Sequence, residues 1–169
     1  MIQREYNWLK TNKTARDEAK QLDAEIDCDI VPLLERFKAG DYARVAYGKG
    51  DRLRKDGNAA LSKGDFPAAK AKLSEAKKQL SAAAAEAKGF CINTHLKTAK
   101  KWMSASKWQQ CAEECDTILG WDAANAEAKR LRAEAENNLV PPLLLRRTAR
   151  MRRRRERRAK NIQLCAIQI

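Results

Sequence analysis

The sequence is poor in the residues on which enzymes and disulfide-bonded proteins depend. Its 169 residues include one histidine, four prolines, seven glycines and five cysteines, with four tryptophans, three tyrosines and three phenylalanines. An odd number of cysteines without regular spacing does not indicate a disulfide framework. The lone His95 has no nucleophile and carboxylate at a recognisable spacing, and no phosphate-binding glycine loop is found. We therefore expect a reduced protein that is not an enzyme.

Long apolar runs are also missing. The longest aliphatic stretch, residues 139–145, is far too short to cross a bilayer and contains two prolines. The first residues, MIQREY, lack the basic and then apolar layout of a secretory signal. These features predict an intracellular, cytoplasmic protein without a transmembrane segment.

Alanine and charged residues make up much of what is present. Hydrophobic residues account for 44% of the chain and charged residues for 34%, yet only 6% of the residues are aromatic. Small apolar side chains suit helices that lie close together, and no segment shows the alternation typical of a strand. The composition therefore predicts an all-α protein.

The most informative segment is residues 56–69, which read DGNAALSKGDFPAA. Gly57 and Ala60 lie about one turn apart and share a helix face, while Gly64 supplies the backbone freedom needed to end that helix. Pro67 suits the first turn of a second helix, where a missing N–H costs nothing. The second helix then carries an apolar stripe of helical period, formed by Ala69, Leu73, Ala76 and Leu80.

A second copy of this pattern lies 42 residues further along the chain. Trp108 takes the place of Phe66, and the residues behind it match the first stripe: Cys111, Cys115 and Ile118. Residues 121–128 read WDAANAEA and would connect to a last helix over about residues 124–138. That helix presents a stripe of its own, formed by Ala128, Leu131 and Ala135.

Together these segments resemble a tetratricopeptide repeat, a two-helix unit of about 34 residues that stacks into a solenoid with a concave groove. The resemblance covers about residues 50–138. The spacing of 42 residues exceeds one period by about two helical turns, and residues 80–88 contain no loop formers. Two facing helices are therefore each expected to be about one turn longer than usual, as in the co-chaperone domains of large immunophilins.

The rest of the chain flanks this repeat region. Residues 1–49 are expected to form a helical flanking segment that caps the stack, with helices over residues 14–26 and 33–39. A degenerate repeat over residues 30–50 is the alternative. Residues 139–169 form a linker and a basic C-terminal extension.

Tetratricopeptide co-chaperones hold the acidic C terminus of a chaperone in a clamp of lysine, arginine and asparagine side chains, since charge-assisted hydrogen bonds suit paired carboxylates. The resemblance places Arg54 and Asn58 at two clamp positions. Lys97 stands at the second asparagine position, whereas Glu127 and Leu131 stand where a lysine and an arginine are expected. The alternative is that Arg54 and Asn58 are ordinary solvated side chains.

The resemblance thus implies a non-catalytic protein–protein interaction module, an adaptor or co-chaperone-like protein. Its groove would be basic and would bind an acidic or C-terminal peptide of a protein partner. The residues expected to line it are Arg54, Asn58, Lys97, Lys100 and Lys101.

Two pairs of potential metal ligands occur at i, i+4 spacing, Cys91 with His95 and Cys111 with Cys115. Together they would make a zinc site with three cysteines and one histidine. The repeat register instead assigns Cys111 and Cys115 to the core, where a free cysteine packs as a small hydrophobe. We expect core packing, no metal and no cofactor.

The C-terminal extension holds most of the charge. The formal net charge is +13, and residues 146–160 alone supply +9 from ten basic residues and one glutamate. Such a segment could bind nucleic acid without sequence preference, direct nuclear import, contact an anionic membrane or have no dedicated partner. The alternative function is therefore a nucleic-acid-associated or ribonucleoprotein scaffold protein. Its contacts would be Arg146, Arg147, Arg150, Arg152, Arg153, Arg154, Arg155, Arg157, Arg158 and Lys160.

Overall fold

The computed structural model describes residues 2–139, and every regular element within that range is helical. Helix α1 spans Ile2–Glu25 and continues through a π-helical segment, Ile26–Ile30, into α2, Val31–Arg36. The helices that follow are α3 (Ala39–Tyr42), α4 (Arg44–Ser62), α5 (Phe66–Ser104), α6 (Trp108–Trp121) and α7 (Ala126–Leu139). The prediction of an all-α protein is confirmed. None of the described helices combines the length and the apolar character needed to cross a membrane.

The chain divides into two compact units, Met1–Asn93 and Thr94–Ile169. In the first unit, the helix predicted over residues 14–26 is part of the longer α1. The helix predicted over residues 33–39 is the shorter α2, in which Pro32 lies in the first turn. This N-terminal segment buries Ala15, Ala19, Ile26, Ile30, Leu34 and Phe37.

Helix α4 lies against α5 in the first unit with glycine at the points of contact. Gly50 faces Leu80 and Gly57 faces Leu73, so the two helices run antiparallel. A Cβ atom added at either glycine would lie 2.7 Å from the Cγ atom of the facing leucine, closer than a well-packed contact allows. The predicted stripe of the second helix is buried: Ala69, Leu73, Ala76 and Leu80.

Gly64 ends the reversal between α4 and α5. It has a φ of 81°, a conformation that glycine adopts without steric cost. The N–H of Asp65 then donates to the carbonyl of Ala60 at 3.0 Å, which satisfies one of the free carbonyl groups at the end of α4.

The same turn recurs between α5 and α6. Ser106 is left-handed, with a φ of 55°, and the N–H of Lys107 donates to the carbonyl of Trp102 at 2.9 Å. A non-glycine residue in this conformation costs about 1–2 kcal/mol. The equivalence of the two turns supports the register in which Trp108 takes the place of Phe66.

The prediction of two facing helices between these turns is wrong, because α5 is one helix of 39 residues. A tetratricopeptide solenoid needs a reversal between successive repeats, and no residue of α5 provides one. Residues 80–88 are mostly alanine, which is the strongest helix former. Gly89 in the middle of the helix faces open space and does not end it.

In the second unit, α6 and α7 are joined by a short turn whose side chains satisfy the backbone. Asp122 accepts from the N–H of Ala124 at 3.1 Å. Asn125 accepts from the N–H of Ala128 at 3.0 Å and so caps the start of α7. The stripes predicted for these helices are buried: Cys111, Cys115 and Ile118 on α6, and Ala128, Leu131 and Ala135 on α7.

We expect Gly57→Ala to lower the free energy of unfolding by about 1–3 kcal/mol, because the added methyl group displaces Leu73 from a close contact. Gly48→Ala is the matched control in the same helix, since nothing lies within 4 Å of its added Cβ. This second variant should gain about 0.5–1 kcal/mol from the higher helix propensity of alanine. Urea denaturation followed by circular dichroism measures both, and equal responses would contradict the close contact.

Candidate functional site

The predicted clamp residues Arg54 and Asn58 hold carboxylates of the same chain. Arg54 Nε donates to Asp23 Oδ1 at 2.8 Å, and its Nη2 lies 2.6 Å from Asp27 Oδ1. Asn58 Nδ2 donates to the same oxygen of Asp23 at 3.3 Å. Two side chains one turn apart on α4 thus bind two carboxylates four residues apart at the end of α1 and the start of the π-helical segment.

This network compensates the Arg54 guanidinium for its partial burial. Burial lowers the pKa of the Arg54 guanidinium, but the hydrogen bonds to Asp23 and Asp27 outweigh that effect and leave the pKa raised. The Arg54 side chain is 22% exposed, compared with 56% for Asp27. Arg54 is therefore the less exposed partner in this pair, and the Asp27 carboxylate remains open to water.

Two further ion pairs connect α1 to α5. Lys70 Nζ lies 2.6 Å from Glu18 Oε2, and Lys77 Nζ lies 2.6 Å from Glu25 Oε2. The hydrogen bond from Lys77 is the main cause of a lowered pKa at Glu25. We call the four carboxylates of Glu18, Asp23, Glu25 and Asp27 the acidic strip, and the side chains of Arg54, Asn58, Lys70 and Lys77 the basic face.

The sequence signal for this arrangement was the matching spacing of the two sets. Asp23 and Asp27 are four residues apart, as are Arg54 and Asn58. The carboxylates were not predicted as partners, because a spacing within one helix does not give its register against another helix.

The other three predicted groove residues lie in the second unit. Lys100 Nζ lies 2.7 Å from Glu127 Oε1, and the hydrogen bond from Lys100 is the main cause of a lowered pKa at Glu127. Lys97 and Lys101 are exposed and form no ion pair with a described acidic residue. The glutamate that departs from the clamp pattern is thus the partner of a predicted groove lysine.

Trp102 adds an aromatic face to this lysine-rich end of α5. Its ring is half-buried, and the ammonium groups of Lys107 and Lys101 lie 4.6 Å and 6.0 Å from the ring centroid. Such cation–π contacts hold the ammonium groups beside the ring without neutralising them. Lys97, Lys101, Lys107 and Trp102 form what we call the open lysine surface.

The residues considered for a zinc site have other partners. Cys91 Sγ lies 3.9 Å from the carbonyl of Phe37, and His95 Nδ1 lies 2.5 Å from Glu114 Oε2. The His95 and Trp121 rings also form a T-shaped contact at a centroid distance of 4.9 Å. Among residues 2–139, no group of three or more histidine, cysteine, aspartate or glutamate side chains is arranged to hold a metal ion.

Cys111 and Cys115 are fully buried free thiols. Burial is the main cause of a raised pKa at both, and it brings the pKa of Cys115 to about 12. A thiolate is the reactive and metal-binding form of cysteine, so these two side chains behave as packing residues.

The Arg-rich segment lies outside the described residues. This applies to all ten of its predicted contact residues: Arg146, Arg147, Arg150, Arg152, Arg153, Arg154, Arg155, Arg157, Arg158 and Lys160. Its role in nucleic-acid binding or targeting stays a prediction from sequence.

Comparison of the chain with protein families, with curated proteins and with solved structures found no match in any of the three. The resemblance to tetratricopeptide repeats therefore rests on the residues of the motif alone.

Alkylation by iodoacetamide at about pH 8 should leave Cys115 unmodified, since a pKa of about 12 leaves only about one thiol in 10⁴ ionised. Cys111 should also resist alkylation, because it is fully buried and burial raises its pKa. The exposed Cys28 should react at least about a hundredfold faster. Mass spectrometry of proteolytic peptides resolves each cysteine separately. Both buried thiols should react once urea unfolds the protein, and equal native rates at Cys115 and Cys28 would contradict the assigned burial.

Proposed function

We propose that this protein is a non-catalytic interaction module, an adaptor or co-chaperone-like protein, that binds acidic segments of a protein partner. The observation that carries the proposal is that three of the five predicted groove residues already hold carboxylates. Arg54 binds Asp23 and Asp27, Asn58 binds Asp23, and Lys100 binds Glu127. The chemistry of the surface therefore suits an acidic ligand.

The open lysine surface is where such a ligand would bind without first displacing an internal partner. Lys97 and Lys101 lie one turn apart on α5, so their ammonium groups can bind carboxylates spaced by one helical turn or by a short extended segment. A single exposed ion pair contributes little to affinity. Several cations beside an aromatic ring, acting together with a net positive charge, would both attract an acidic segment and hold it.

A fluorescent ten-residue glutamate peptide serves as the probe, and a full-length protein with the ten basic residues of 146–160 changed to glutamine serves as the host. We call this host the tail-neutral protein, because it prevents the Arg-rich segment from binding the peptide. Lys97→Glu with Lys101→Glu should weaken binding at least about tenfold, as two attractive pairs become repulsive.

The matched control is Lys49→Glu with Lys63→Glu, which makes the same change of charge at two exposed lysines outside the predicted groove. It should weaken binding less than about threefold, through the long-range field alone. Equal losses in the two double variants would mean that net charge and not the open lysine surface binds the peptide, which would contradict the proposal.

The charge density of residues 146–160 favours a second function, association with nucleic acid. A segment that neutralises about six to ten phosphates loses about 10³–10⁵ in affinity between 50 and 200 mM salt. The full-length protein should show this dependence on a DNA duplex of arbitrary sequence, measured by fluorescence anisotropy. The tail-neutral protein should not bind the duplex, and a steep salt dependence that survives in it would locate nucleic-acid binding elsewhere.

A further inference from the structure

We infer that α1 occupies the basic face as an internal ligand and that an acidic α-helix of the partner displaces it. This inference rests on the proposed function, because it names the form of the acidic ligand and the surface that receives it. The basic face of α4 and α5 is then a second binding surface, closed in the free protein.

Four carboxylates of α1 and its continuation contact cations of α4 and α5. Ion pairs join Glu18 to Lys70, Glu25 to Lys77, and both aspartates of the acidic strip to Arg54. Beside these ion pairs, the described apolar side chains that are buried on α1 and its continuation are two alanines and two isoleucines: Ala15, Ala19, Ile26 and Ile30. The ion pairs therefore share the contact with a small apolar group, and they decide which charges can occupy the basic face.

Ion pairs of this kind are exchangeable. The carboxylates of the acidic strip keep between 29% and 56% of their side-chain surface exposed, so water and salt reach them in the closed state. A carboxylate of a partner helix at the same spacing makes the same hydrogen bond to Arg54 that Asp23 makes. The contacts of Gly50 and Gly57 with α5 involve no residue of α1, so α1 can leave without breaking them.

Helix α1 is also a weaker ligand than an acidic helix of the same length. Residues 2–25 contain five basic and five acidic residues, which gives a net charge of zero. Its basic side chains Lys10, Lys13, Arg16 and Lys20 are exposed. Outside residues 146–160 the protein still carries a formal charge of +4, so a helix with the acidic strip but without these cations is attracted more strongly.

The π-helical segment supplies a hinge for the displacement. Its last bond runs from the N–H of Val31 to the carbonyl of Ile26, and Ile26 and Ile30 are buried at its two ends. Such segments are rare and interrupt the regular hydrogen bonding of a helix. Because Asp27 belongs to the acidic strip, the part that moves is residues 2–27, including the buried Ile26, while Ile30 keeps the chain anchored.

The probe for this inference is a synthetic peptide of residues 12–30 that carries Lys13→Gln, Arg16→Gln, Lys20→Gln and Cys28→Ser. It keeps the acidic strip and has no basic side chain. In the tail-neutral protein, Asp23→Asn with Asp27→Asn removes the internal carboxylates from Arg54. This variant should bind the peptide about tenfold more tightly, because the competitor inside the protein is weakened.

The matched control is Asp17→Asn with Asp29→Asn, which makes the same change of charge at two exposed positions outside the acidic strip. Its affinity should stay within about twofold of the parent. Adding Arg54→Gln to the first variant should abolish its gain. Circular dichroism checks that the helix content of every variant is retained.

Hydrogen exchange gives a second readout that affinity alone does not. Saturating peptide should speed the exchange of α1 amides and leave that of α4 and α5 unchanged or slower, since only α1 is released. Equal affinity of both double variants, or unchanged exchange in α1, would overturn the inference. A dimer that forms by exchange of α1 between two copies would also overturn it, because the occupant would then be the chain itself.

The two proposals fail in different ways. If the glutamate peptide binds through Lys97 and Lys101 while the helical peptide leaves α1 in place, the proposed function stands and the internal-ligand inference is wrong. If neither peptide binds the tail-neutral protein, both are wrong.

Discussion

Helix α4 can lie against α5 at its observed distance only because glycine occupies positions 50 and 57, where a Cβ atom would meet the side chains of Leu80 and Leu73. Arg54 lies four residues after one glycine and three before the other, so it shares their helix face. The close approach leaves the Arg54 side chain 22% exposed beside the seam. The two glycine contacts thus fix the position of Arg54, the cation that binds both aspartates of the acidic strip. The geometry of the basic face depends on this position.

The buried stripes could be predicted from sequence because helical periodicity is a local property. The stripes headed by Ala69, Cys111 and Ala128 are buried as expected, and the reversals at Gly64 and Ser106 fall in the expected register. The continuity of α5 was not predicted, although residues 80–88 gave no reason for a break. The repeat period suggested a reversal there, and the local helix propensity of alanine prevailed over it.

In the candidate site, too, the features that depend on local sequence were predicted, and those that depend on contacts between helices were not. Arg54 was identified from its position in the motif, and Lys100 as one of the lysines expected to make the groove basic. Their partners Asp23 and Glu127 lie on other helices, 31 and 27 residues away along the chain, and no periodicity within a helix gives the register between two helices. Ion pairs across helices depend on that register. The sequence therefore predicted the cations but not the carboxylates that they bind.

Because α1 acts as an internal ligand, a partner must compete with it to bind the basic face. A segment tethered a few residues from its site acts at an effective concentration of about millimolar. The apparent affinity of a competitor falls in proportion to the fraction of molecules that are open. The zero net charge of α1 makes it a weak competitor. The positive field of the protein repels the exposed cations of α1, whereas it attracts a fully acidic helix. Balanced charge on α1 therefore makes the basic face selective for acidic ligands while keeping it covered in their absence.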